Sequence, residues 1–264
     1  MTDNGIGAAL RAVRSRLRLG GWITLGVMGG LVFLTSLPAL DVLGLSLFYV
    51  LLPALALAQL PILDHEPLEK IPVYVGSIVT ILALGLIGGL LAGRLEGVAP
   101  AGLTPLPTGE LLGWTLGVTA AGILIILLFR PLDARLGGGR SELLRDLLPR
   151  SPRERGIFAG LSFSAGVGEE LAYRAYAFQV IQLLGLGPWG AALASSVPFG
   201  FLHGYQGPVG VLRTGVMGFV LAVPVVLTGS LLPSIAAHTL IDLLVGLVWG
   251  PRLLAPSQQE PSPR

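Results

Sequence analysis

Residues 111–130 read LLGWTLGVTAAGILIILLFR, a run with no charge until Arg130 closes it. At about 1.5 Å of helical rise per residue, such a run covers the roughly 30 Å hydrocarbon core of a bilayer. A surface helix of a soluble protein keeps one apolar stripe and leaves charge on its other face; here every face is apolar. The stretch is a transmembrane helix whose solvent is lipid.

Similar runs recur on both sides of it. Spans are expected near 22–40, 43–62, 71–92, 111–130, 156–184, 189–203, 209–228 and 231–249. The fold class is therefore all-α, a polytopic transmembrane helical bundle of about eight spans. Pro38, Pro53 and Pro224 fall within or near span ends, where lipid-embedded helices tolerate them. The run 189–203 is short, as a tilted or partly re-entrant helix would be. Composition agrees: 53% of the 264 residues are hydrophobic and 12% charged, against about a quarter charged in soluble domains. Mean hydropathy is +0.78. With roughly 20 residues per span, eight short-looped helices use most of the length and leave no room for a separate soluble domain.

The chain divides into a basic arm at 1–21, a first set of helices at 22–130, an Arg-rich connection at 131–155, a second set at 156–250 and a polar tail at 251–264. The tail is rich in Pro and Ser and is expected to be disordered. The absence of cysteine excludes disulfides and thiolate metal sites, and a net charge of +2 suggests no nucleic-acid partner. The basic arm ahead of an apolar run imitates a secretory signal. The run is too long for that and lacks a small-residue cleavage site, so it reads as the first span.

Arginine placement sets the orientation. Arg11, Arg14, Arg16 and Arg18 precede span one; Arg130, Arg135, Arg140, Arg145, Arg150, Arg153 and Arg155 crowd the connection between spans four and five. The positive-inside rule puts both groups in the cytoplasm, and the four intervening spans return the chain to that side. Both termini are expected to be cytoplasmic, in the plasma membrane. On the opposite side Arg94 is offset by Glu96. Within the connection, residues 141–148 have helical leucine spacing and read as a short interfacial helix or a solvated linker.

A charge within a span costs at least about 2.5–3.5 kcal/mol on insertion scales and marks a functional site by default. The charges and histidines inside spans gather in the second set of helices: Gly168-Glu169-Glu170-Leu171-Ala172-Tyr173-Arg174 on span five, Phe199-Gly200-Phe201-Leu202-His203 ending span six, and His238-Thr239-Leu240-Ile241-Asp242 on span eight. Glu170 and Arg174 are four apart, so they share a helix face and pair, while Glu169 is turned about 100° away. His238 and Asp242 are also four apart. Two carboxylates with two imidazoles can bind a divalent metal or activate a water directly. His65, in Asp64-His65-Glu66, reads as a solvated loop histidine.

In order and spacing these residues resemble the CAAX prenyl protease and bacteriocin-processing (CPBP, or Abi, type II CAAX protease) family of intramembrane proteases. The pattern is Glu-Glu-x-x-x-Arg, here Glu169, Glu170 and Arg174; Phe-x-x-x-His, here Phe199 and His203; and His-x-x-x-Asn/Asp, here His238 and Asp242. The resemblance covers roughly residues 154–249 and makes 156–250 the catalytic domain, with its site on spans five, six and eight. It implies an endopeptidase acting on a membrane-associated protein or peptide, prenylated in some members. Glu169 with His203 would activate the attacking water, and Glu170, Arg174 and Phe199 would support the site. His238 and Asp242 would stabilise the oxyanion or ligate a metal. An ionised Asp has no hydrogen to donate, so a donating role requires protonated Asp242; orienting His238 or ligating zinc suits it better. The zinc set would be Glu170, His203, His238 and Asp242, and a metal-free glutamate mechanism is the other form. A silent scaffold or immunity protein is the alternative reading. A proton-coupled transporter fits less well, because its charges usually occupy both halves, and no Gly-x-Ser-x-Gly setting supports a serine protease.

Overall fold

The computed structural model describes residues 3–63, 69–95, 102–136 and 140–250. Among them there is no strand beyond one isolated bridge between Gly102 and Ser230. The helices, in chain order, are α1 (Asp3–Leu34), α2 (Ala39–Leu63), α3 (Lys70–Ala92), α4 (Thr108–Leu136) and the short α5 (Arg140–Asp146). Then come α6 (residues 152–183), α7 (Pro188–Leu202), α8 (Gly207–Thr228) and α9 (Leu232–Trp249). His65 and the tail 251–264 lie outside the described residues, as does Glu96.

Among the described residues, six helices are long and apolar enough to cross a membrane: Ile6–Leu34, Ala39–Leu63, Lys70–Ala92, Thr108–Leu136, Gly204–Thr228 and Leu232–Trp249. The other two expected spans are present as helices of a different character. Helix α6 carries Arg153, Glu154, Arg155, Glu169, Glu170 and Arg174, and α7 has only 15 residues. Outward faces are apolar, with Trp22 72%, Phe33 87%, Leu90 68% and Leu128 66% exposed, as a lipid-facing surface requires.

The first span differs from expectation. The arm and the apolar run form one 32-residue helix, α1, which stops at Leu34 and not at 40. Residues 8–19 are rich in Ala, Leu and Arg, all good helix formers. Pro38 lacks an N–H and pushes the residue before it out of helical geometry, which ends the rod early. Arg16 donates to the carbonyl of Leu57 at 3.1 Å, so the basic segment lies along α2.

Among the described residues, three helices widen into π-helical turns; that of α9, Leu244–Trp249, lies at its C-terminal end, and the other two lie in the main core. Residues Leu47–Leu51 of α2 and Leu171–Ala177 of α6 are π-helical. In α2 the cause is local: Pro53 follows at once, and its ring would clash with the carbonyl of Tyr49 in an α-helix. The two widened turns meet in the main core, with Leu45, Phe48, Tyr173, Tyr176 and Phe199 buried together. A second cluster joins Val118, Met217, Leu221, Ala237 and Ile241 between α4, α8 and α9.

The Arg-rich connection is tied down. Lys70 Nζ donates to Leu148 O at 2.8 Å and the Tyr74 hydroxyl donates to Leu147 O, so the segment after α5 sits on the start of α3. Helix α6 then begins with a capping box: the Glu154 N–H donates to Ser151 Oγ while the Ser151 N–H donates back to the Glu154 carboxylate.

Candidate active site

The site is built on α6, which runs between α3 and α9. A Cβ on Gly168 would stand 2.5 Å from the carbonyl oxygen of Ile81, and one on Gly166 would stand 2.8 Å from that of Ile235. These contacts let both neighbours touch the α6 backbone just before the acidic pair. Glu169 and Glu170 are thereby delivered into the middle of the bundle.

Arg174 follows within the π-helical turn and is fully buried. Its Nη1 donates to Glu170 Oε1 at 3.1 Å and its Nη2 donates to the carbonyl of Gly218 on α8 at 2.8 Å. The guanidinium lies 4.3 Å over the centroid of Phe199 on α7, a cation–π contact strengthened by exclusion of water. Phe199 thus serves the cluster twice. It covers the cation on one side, and it packs against the rings of His203 and His238, with centroids at 5.2 and 6.0 Å.

Glu170 is 0% exposed and carries two partners on one oxygen, because His238 Nδ1 also lies 2.9 Å from Oε1. A carboxylate can only accept, so His238 Nδ1–H donates, and this fixes the ring with Nε2 directed away from Glu170. Nε2 then faces Glu169 Oε2 at 3.9 Å and Asp242 Oδ2 at 3.8 Å. Glu169 Oε2 is itself buried and has no hydrogen-bond partner among the described residues. His203 stands at the end of α7, its Nδ1 3.0 Å from the carbonyl of Phe199. That carbonyl accepts, leaving Nε2 of the neutral ring with its lone pair.

The expected residues therefore converge in part. Glu169, Glu170, Arg174, Phe199, His238 and Asp242 form one connected cluster, and His203 joins it through Phe199 and not through a carboxylate. The expected Glu170–Arg174 pair is present. The residue holding the His238 ring is Glu170, from another helix, while Asp242 lies beyond hydrogen-bonding distance. Sequence reading missed Gly218, whose carbonyl accepts from Arg174. It is glycine because a Cβ there would meet Phe199 Cδ1 at 2.9 Å and Arg174 Nη2 at 3.1 Å. A backbone acceptor leaves no mark in residue type, so spacing alone could not have found it.

The same geometry bears on zinc. Among the described residues no group of three or more His, Asp or Glu side chains is arranged to hold a metal ion. Glu170 Oε1 and His238 Nδ1 already satisfy each other, and His203 has no carboxylate within ion-pair distance among the described residues. The set Glu170, His203, His238 and Asp242 does not fit a ready metal centre without rearrangement.

Residues 153–244 match the family model described as Type II CAAX prenyl endopeptidase Rce1-like. No curated protein and no solved structure matches the chain.

Proposed function

We propose, on the premise that residues 153–244 belong to the type II CAAX prenyl endopeptidase family, that this multi-pass membrane protein is an endopeptidase cleaving membrane-associated, prenylated proteins or peptides with a Glu169-activated water. The observation that carries this reading is Glu169 Oε2: a buried carboxylate oxygen without a partner, 3.9 Å from an imidazole whose other nitrogen is already engaged. An orphaned buried acceptor has a desolvation cost of about 1–3 kcal/mol or more, and a substrate water hydrogen-bonded there would offset it.

The chemistry follows from these groups. Glu169 takes a proton from water as the oxygen attacks the scissile carbonyl carbon. His203 Nε2 accepts a hydrogen bond from the water's other O–H, which stays on the attacking oxygen, and so orients the attack. The carbonyl oxygen gains the negative charge, and protonated His238 donates to it from Nε2, with Glu170 and Asp242 as counter-charges. Glu169 then returns the proton to the departing amine as the C–N bond breaks. Arg174 acts on Glu170 and not on substrate: it neutralises the carboxylate that holds His238. No step in this scheme is routed through a metal, and activity is expected to survive a chelator.

In the membrane, α1–α4 and α6–α9 cross or enter the bilayer with both termini cytoplasmic, as the arginine clusters of the arm and the connection support. The test compares protein termini by mass spectrometry in membranes from cells carrying wild type or Glu169→Gln at equal levels. Termini that vanish with Glu169→Gln identify the substrate, and purified enzyme should then lose about 10²–10⁴-fold of its cleavage rate. Identical sets of termini would sink the protease reading and leave a silent scaffold.

A further inference from the structure

The first set of helices holds a polar cluster that the proposed chemistry does not use. Asp41, at the start of α2, is 1% exposed, yet it carries a charge into the bundle. Its Oδ1 accepts from Arg94 Nη2 at 2.7 Å, just beyond the end of α3, and from the Tyr176 hydroxyl at 3.2 Å. One helical stripe of α2 continues from it. Asp41, Gly44 and Phe48 are spaced three and four apart, so they share a face. A Cβ on Gly44 would stand 2.7 Å from Tyr176 Cζ, so only glycine leaves a slot for that ring. The carbonyl of Phe48, inside the π-helical turn of α2, accepts from the Tyr173 hydroxyl at 2.9 Å. Phe48 also packs edge-on against both tyrosine rings, with centroids at 6.0 and 5.7 Å.

Tyr173 and Tyr176 flank Arg174 within the widened turn Leu171–Ala177. A π-helical turn is rare and lies frequently at functional sites, where surrounding contacts hold it. Arg174 faces Glu170, Gly218 and Phe199 while its two neighbours grip α2, so the turn is held from both sides. We propose that Asp41, braced by Arg94, is a positioning residue: through Tyr176 it keeps the widened turn in register, and so keeps Arg174 under Glu170 and Glu170 on His238. Asp41 touches neither of the reacting groups and acts at a distance through one helix. The first set of helices thereby takes part in shaping the site.

Two readouts test this on the full chain in lipid nanodiscs, with Tyr176→Phe and Asp41→Ala as variants. The control is Leu86→Ala, at a lipid-facing position of α3. The first readout is the ¹⁵N resonance of His238 Nδ1 in histidine-labelled protein, simple to assign because the chain has three histidines. Both variants are expected to displace it, while Leu86→Ala leaves it in place; Arg94→Lys, which keeps the counter-charge, stays near wild type. A mere loss of stability changes the folded fraction and not the resonance of the folded form. The second readout rests on the protease reading and uses a farnesylated CAAX-type peptide. Each variant should lower kcat by roughly tenfold to a hundredfold with KM nearly constant, as a displaced catalytic geometry does. The double variant should be no worse than either single one, because the two side chains act as a unit. Folded Tyr176→Phe with an unmoved His238 resonance overturns the proposal. If wild type leaves the peptide intact, the protease reading fails by itself, and the resonance still decides for or against the clamp.

Discussion

Two of the arginine–carboxylate pairs among the described residues have a fully buried carboxylate, and they are built differently. Arg174 and Glu170 are 1% and 0% exposed in their side chains at 3.1 Å, whereas Arg94 is 37% exposed as it reaches the 2% exposed Asp41 at 2.7 Å. Burying both charges costs several kcal/mol per ion, and their attraction alone does not reliably offset it. The inner pair survives because each member has further partners: the Gly218 carbonyl and the Phe199 ring for Arg174, and His238 for Glu170. The outer pair needs fewer, since its cation reaches the edge of the bundle. In the proposed scheme the fully buried pair with several partners serves the chemistry, and the half-buried pair with one tyrosine serves alignment.

This difference between the pairs breaks down if both arginines cost the same to remove. Arg174→Met leaves Glu170 charged and uncompensated, and should destabilise the protein by about 3–5 kcal/mol in detergent unfolding and abolish cleavage. Arg94→Met should cost only about 1–2 kcal/mol, because Asp41 keeps the Tyr176 hydroxyl. Lysine sharpens the distinction. Arg174→Lys cannot reach Glu170 and Gly218 as one planar fork over Phe199, so it should stay inactive, whereas Arg94→Lys should unfold close to wild type.

Packing gives a smaller pair of effects. Gly218→Ala and Gly44→Ala each force a ring to shift, at about 1–3 kcal/mol by the usual cost of overpacking. Gly218→Ala should lose more activity per unit of stability, since its Cβ meets Arg174 itself. Equal losses would erase the distinction between site and clamp.

The smallest effect is expected at the start of α6. Ser151→Ala removes the helix cap and should cost about 1 kcal/mol in unfolding. The Glu154 carboxyl is held below its ordinary value of 4.5, chiefly by the Arg150 N–H at 2.6 Å and also by that of Ser151. Because its folded value is lowered, its contribution is complete above pH 4.5 and fades as pH falls through the folded value. Glu154→Gln should therefore melt below wild type at about pH 7 and converge with it in acid. A gap that stays constant with pH would rule out this linkage.

Most helices were legible because lipid imposes length and uniform apolarity on each span. The Glu170–Arg174 pair was legible for a local reason: four residues of helix bring the two side chains together whatever surrounds them. Asp41 was overlooked because it sits between two apolar runs and resembles a loop residue. Arg94 pairs with Asp41 across 53 residues, a separation that no local spacing reveals. The widened turn Leu171–Ala177 contains no proline or glycine to announce it.

By itself the sequence determined that the chain is a helical membrane protein and that Glu169, Glu170, Arg174, His238 and Asp242 fall within its helices, since both follow from transfer energies and from the period of a single helix. Only the tertiary structure decided that Glu170, and not Asp242, holds His238 across 68 residues. It also decided that the carbonyl of Gly218 completes the shell of Arg174, and that α2 grips the turn carrying it. The physical reason is that these partners are chosen by how closely helices approach and in which register. That depends on glycine contacts and backbone carbonyls on neighbouring helices, which no single segment contains.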